Sequence, residues 1–143
     1  MTTTNKVKEI TVETTINAPV EKVWECYTNP KHVTQWNHAS DDWHSPKAEN
    51  DLRPGGKFNY RMEAKDGSFG FDFGGVYDEV KQNRRIRYTI GDGRHVDVKF
   101  EEAGNKTKVV TIFEAESVND PEMQRGGWQA ILDNFKKHVE TEL

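Results

Sequence analysis

The chain has 143 residues, is 34% hydrophobic and 31% charged, and carries a formal net charge of −4. At this length one domain is expected, and four Trp, four Tyr and seven Phe supply a core despite the polar average. The acidic balance and scattered lysines and arginines exclude a nucleic-acid footprint, and no apolar run approaches the roughly 18 residues of a membrane span.

Residues 1–6 read as a loose polar tail and 7–143 as a single domain. The first ten residues lack the apolar core of a secretory signal. The single cysteine, Cys26, excludes an internal disulfide and fits a reducing cytoplasm, which is the expected location. Cys26 falls within a helical pattern and is read as packing. From Val7 to Asn17, Ile10, Val12, Thr14 and Ile16 alternate with Glu9, Thr11, Glu13 and Thr15, the signature of a half-buried strand. Asn17-Ala18-Pro19 ends it. Val20 to Thr28 predicts a short helix with Val20, Val23, Trp24 and Tyr27 inward, Asn29-Pro30 breaks it, and Lys31 to Trp36 is a second helical piece.

His38 to Leu52 is polar and interrupted by Pro46, and reads as irregular chain with room for a short strand around Trp43. Arg53-Pro54-Gly55-Gly56 is a turn signal. Strand patterns follow. Phe58, Tyr60 and Met62 lie on one face; Lys65-Asp66-Gly67-Ser68 turns; Phe69, Phe71 and Phe73 alternate with Gly70 and Asp72. Gly74-Gly75 reads as a bulge or sharp bend, and Val76 to Val80 continues the strand. Ile86, Tyr88 and Ile90, then Val96, Val98 and Phe100, alternate on two more strands, separated by Gly91-Asp92-Gly93. After Ala103-Gly104-Asn105, Thr107 to Ala115 is the last strand.

Pro121 to Leu143 is the one long helix. Trp128, Ile131, Leu132, Phe135 and Val139 make its apolar stripe, while Gln129, Asp133, Lys136, Lys137 and Glu140 are expected to face water. Asp120 is an N-cap residue followed by proline at the first helical position. Gly126 and Gly127 each cost about 1 kcal/mol against alanine, so either another surface or a ligand comes close to the backbone there, or the first turns fray or kink locally. Helices segregated from a meandering sheet define an α+β fold, with the sheet covered on one face by the terminal helix.

Large rings on the sheet face opposite Trp128 and Phe135 suit either a solid core or an apolar cleft. The candidate ligand-binding residues are Trp36, Phe58, Tyr60, Phe71, Phe73, Tyr88, Phe100, Thr111, Phe113, Gly127, Trp128 and Ile131. Tyr60, Tyr88 and Thr111 could orient a ligand oxygen. No nucleophile elbow or nucleophile–base pair is present, so no catalytic residue is assigned. His38, Asp41, Asp42 and His44 match no zinc spacing, Gly55-Gly56 is no phosphate loop, and neither a metal nor a cofactor is expected.

Several motifs together resemble a known family. Ile16-Asn17-Ala18-Pro19-Val20-Glu21-Lys22-Val23-Trp24 resembles the opening of START-like helix-grip (SRPBCC) proteins. Asp51-Leu52-Arg53-Pro54-Gly55-Gly56-Lys57-Phe58, Gly74-Gly75-Val76-Tyr77 and Gly127-Trp128 ahead of Leu132 resemble the branch named for homology to the activator of the ninety-kilodalton heat-shock ATPase. The resemblance implies an antiparallel sheet of six or seven strands gripping the C-terminal helix around a hydrophobic cavity. The superfamily includes lipid and hormone carriers, cyclases and aromatases, and chaperone-associated domains, with no shared catalytic motif. Three functions follow as expectations: binding of a small hydrophobic molecule, a cyclase or dehydratase acting on an aromatic substrate, or a protein-interaction module. Eukaryotic activators carry a further N-terminal chaperone-binding domain that has no counterpart in these residues, so activation of a chaperone by this chain alone is not expected.

Overall fold

The computed structural model describes residues 8–142. The proposed tail and Val7 lie outside them. The elements run β1 (Glu9–Ile16), α1 (Val20–Thr28), α2 (Pro30–Trp36), β2 (Trp43–Asn50), β3 (Lys57–Ala64), β4 (Gly70–Lys81), β5 (Arg85–Ile90), β6 (His95–Ala103), β7 (Lys106–Glu114) and α3 (Pro121–Thr141). One seven-stranded antiparallel sheet has the order β1-β7-β6-β5-β4-β3-β2. It curls as a half-barrel around α3, so the fold is α+β, as the alternating strands and closing helix imply, and helix-grip, as the resemblance implies. No described helix is long and apolar enough to cross a membrane.

Three local outcomes differ from the pattern in the sequence. The stretch read as irregular contains β2, an eight-residue strand. Its register shifts between His44 and Lys47, which breaks the period-2 signal at Pro46, and β2 is an edge strand, where proline is tolerated. Buried Ser45 donates to the Arg61 carbonyl at 2.7 Å and ties the irregular step to β3.

Gly74-Gly75 does not interrupt β4, which runs unbroken for 12 residues. The register shift against β5 lies later, between Tyr77 and Glu79. Gly75 is needed for close approach instead. A Cβ there would run into the Thr89 carbonyl oxygen and lie 3.0 Å from the Ile90 Cα, so only glycine lets β4 lie this tightly on β5.

The third difference concerns α3. Asp120 caps it by accepting from the Glu122 N–H at 2.8 Å, and Leu132, Phe135 and Val139 are buried as the stripe predicts. Two side chains expected to face water do not simply do so. Gln129 Nε2 donates to the Glu13 carbonyl at 3.2 Å and Lys136 Nζ to the Thr15 carbonyl at 3.0 Å, while Arg125 Nη1 donates to Thr11 at 2.6 Å. These are alternate carbonyls of the edge strand β1. An exposed edge is a template for unwanted pairing; here α3 covers it with its own donors. The helix is thereby held against β1, and the space beneath it opens towards β3 and β4.

Candidate functional site

Between α3 and the concave face of β3, β4 and β5 lies a cavity of about 320 Å³, within the range of small-molecule sites. Trp36, Phe58, Tyr60, Phe71, Phe73, Tyr88, Thr111, Trp128 and Ile131 all line it. Phe100 and Phe113 do not. Phe100 is covered by Trp24 and Tyr27, whose ring centroids lie 5.2 and 5.4 Å away. Phe113 is covered by Trp128, stacked at 4.0 Å with rings 9° from parallel. Both therefore belong to the solid core: helix rings already fill the space in front of them.

Gly127 borders a shallower groove that continues from the cavity mouth, shared with Trp43, Met123 and Trp128 among others. A Cβ built at Gly126 or Gly127 would meet nothing within 4 Å. A close protein contact at this pair is thus absent among the described residues, and the glycines leave open space beside the mouth.

Further lining residues escape the sequence reading. Tyr27, Tyr77, Ile86 and Leu132 line the wall; Tyr27 and Leu132 already sit on inward faces of their helices, which was the available signal. Arg94 and Glu116 also line it. They come from loop segments whose placement no periodicity encodes. Arg94 is fixed by Asp92, at 2.8 Å, and by the Glu114 carbonyl, at 3.1 Å. Gln124, buried on α3, accepts from the Glu116 N–H at 2.9 Å and donates to the Asn119 carbonyl at 2.8 Å, lacing the β7–α3 loop to the helix.

The cavity is apolar with a few polar groups. Burial pushes the hydroxyls of Tyr27, Tyr60, Tyr77 and Tyr88 above the ordinary phenol range, and neighbouring tyrosines add to the shift at Tyr27, Tyr77 and Tyr88. All four stay protonated and able to donate at neutral pH. Asn50 Nδ2 donates to the Thr28 carbonyl at 2.7 Å and approaches the Tyr60 hydroxyl at 3.3 Å. Asn37 is 6% exposed and lines the cavity, yet its amide Nδ2 has no hydrogen-bond partner among the described residues. An unpaired buried donor costs about 1–3 kcal/mol, so an acceptor brought by a ligand would relieve it.

The rim is exposed and aromatic. Phe69 is 61% and Phe71 40% exposed, and Trp43 contacts both rings at 5.9 and 6.1 Å. Met123, 66% exposed, borders the same groove.

A curled sheet gripping a terminal helix over an internal cavity defines the START-like helix-grip class, whose domains are of a ligand-binding type. The chain belongs to the family described as Activator of Hsp90 ATPase homolog 1-like protein, matching it over residues 17–140. An AHSA1-like protein from Aeromonas hydrophila is 42% identical, with a TM-score of 0.89 and coverage of 94% of each chain. A protein from Cytophaga hutchinsonii is 51% identical over 94% of this chain and 93% of that one, with a TM-score of 0.81. A protein from Nitrosomonas europaea, only 19% identical, shares the fold at a TM-score of 0.79 over 94% and 95% of the two chains. No curated protein matches.

Proposed function

We propose that the protein binds a small, mostly hydrophobic molecule carrying at least one oxygen acceptor, held between the sheet and α3. The observation that carries this reading is the cavity itself, walled by Phe58, Phe73, Ile86 and Leu132 and supplied with the unpartnered Asn37 amide. Its size suits a compact ring system or a short acyl chain. The exposed aromatic rim supports it further. Phe69, Phe71 and Met123 gather near the mouth, where an apolar molecule would first land, instead of forming a patch remote from the cavity as a docking module would need. The unpaired thiol of Cys26 fits action in a reducing cytoplasm.

A cyclase-type enzyme is the second reading, favoured by Arg94 and Glu116 in the lining. Both readings meet the same screen. Thermal-shift measurements with fatty acids, sterols, flavonoids and polyketide-like aromatics are expected to yield binders, and one present at a hundred times its dissociation constant should add about 2.7 kcal/mol of stability. Recovery of such a compound unchanged supports binding alone, and its conversion supports the enzyme. If no compound in these classes stabilises the protein, the ligand-binding proposal is wrong.

A further inference from the structure

Near the C-terminal end of α3, away from the residues that border the mouth, three side chains from three helices converge. Cys26 of α1, His32 of α2 and His138 of α3 offer a sulfur and two imidazole nitrogens that all lie within 4.8 Å of one another. Among the described residues this is the one such group of cysteine, histidine or acidic side chains. His32 Nδ1 and His138 Nε2 are 2.9 Å apart. Glu142 follows His138 by one helical turn, so both project from the same face, and its carboxylate lies 3.8 Å from His32 Nδ1. Cys26 is fully buried, while His32 and Glu142 are partly open to solvent, giving an ion a way in.

We propose that Cys26, His32 and His138, completed by Glu142, form a tetrahedral site for a divalent zinc-like cation. The donor set is one thiolate, two neutral imidazoles and a carboxylate, a combination suited to zinc. Tetrahedral bonds of about 2.0–2.3 Å place ligand atoms about 3.3–3.8 Å apart, so the two imidazole nitrogens, 2.9 Å apart, must open slightly, the thiol must close in, and the Glu142 carboxylate must swing towards all three by side-chain rotation. His32 and His138 face each other with nitrogen against nitrogen. Only one proton can lie between them, so at least one ring must present a lone pair, and a metal replaces that proton with a bond to each.

The surrounding charges are mixed. Lys22 lies near the cluster and opposes a cation, whereas Glu25 and Glu142 favour one. Binding requires Cys26 to release its thiol proton, and the site's net charge with a divalent ion is then zero. Its structural consequence follows from the topology: one ion would join α1, α2 and α3 near the C-terminal end of α3, leaving the cavity untouched.

The test uses the full, untagged chain, stripped with chelator and titrated with Co²⁺ alone and then Zn²⁺. The expected result is saturation at one Co²⁺ per chain with a thiolate-to-metal charge-transfer band, displaced by Zn²⁺, and a higher melting temperature for the zinc form. Cys26→Ala should abolish the band, and His138→Gln should weaken binding at least about 100-fold, the upper end of losses seen even for outer-shell partners. His95→Gln, at an exposed position, serves as the control and should bind as the unmodified chain does. No charge-transfer band in the unmodified chain would overturn the proposal whatever the variants do. So would binding that survives unchanged in His138→Gln. The cavity reading stands or falls separately, since its ligands leave this band unaltered.

Discussion

Replacing Phe135 by alanine is expected to destabilise the protein by about 3–5 kcal/mol, the range for removing a fully buried phenylalanine. Phe135 is completely buried at the centre of the grip. Its ring meets Trp36 at 4.8 Å and Tyr27 at 5.3 Å, both edge-on, so one side chain of α3 locks α1 and α2 in place. Those two helices, through Tyr27 and Trp36, and Asn37 just after α2 also line the cavity. Against a total stability of about 5–15 kcal/mol, the loss would leave a marginal fold. Urea unfolding followed by circular dichroism measures it. A loss below about 1 kcal/mol would mean that the helices are held together by something other than this ring.

The second large effect is on binding rather than folding. Ile131→Trp is expected to abolish stabilisation by any ligand found in the screen, removing the roughly 2.7 kcal/mol that a hundredfold excess over the dissociation constant supplies. Ile131 is only half-buried on α3 and borders both the cavity and the groove at its mouth. An indole there would extend into existing space, so its cost to stability should fall at or below the usual 1–3 kcal/mol for overpacking a filled core. Paired melting curves with and without ligand separate the two outcomes. Unchanged ligand stabilisation in this variant would place the ligand elsewhere.

The strands and the long helix were legible because each has one wet face and one dry face. The alternation of Ile86, Tyr88 and Ile90 and the stripe through Leu132 and Phe135 leave little choice of structure. Strand β2 was not legible, because an edge strand with a proline and a register shift loses that alternation. Within the site, periodicity says which rings point inward but not what stands in front of them. Phe100 and Phe58 follow the same pattern, yet Trp24 and Tyr27 cover the first while the second keeps a free face on the cavity. Arg94 and Glu116 reach the lining through loop geometry that depends on Asp92 and Gln124. The donors of Arg125, Gln129 and Lys136 look solvent-bound in sequence because their acceptors are edge-strand carbonyls more than a hundred residues away. Cys26, His32 and His138 likewise meet only through tertiary structure.

Methyl-labelled protein titrated with the strongest binder from the screen tests the central claim most directly. If a guest occupies the space between sheet and helix, the resonances of Val12, Ile86, Ile131 and Leu132 should shift together and saturate, while Val118, exposed on the β7–α3 loop, stays in place. Shifts confined to surface methyls, with those four unmoved, would contradict an internal binding site.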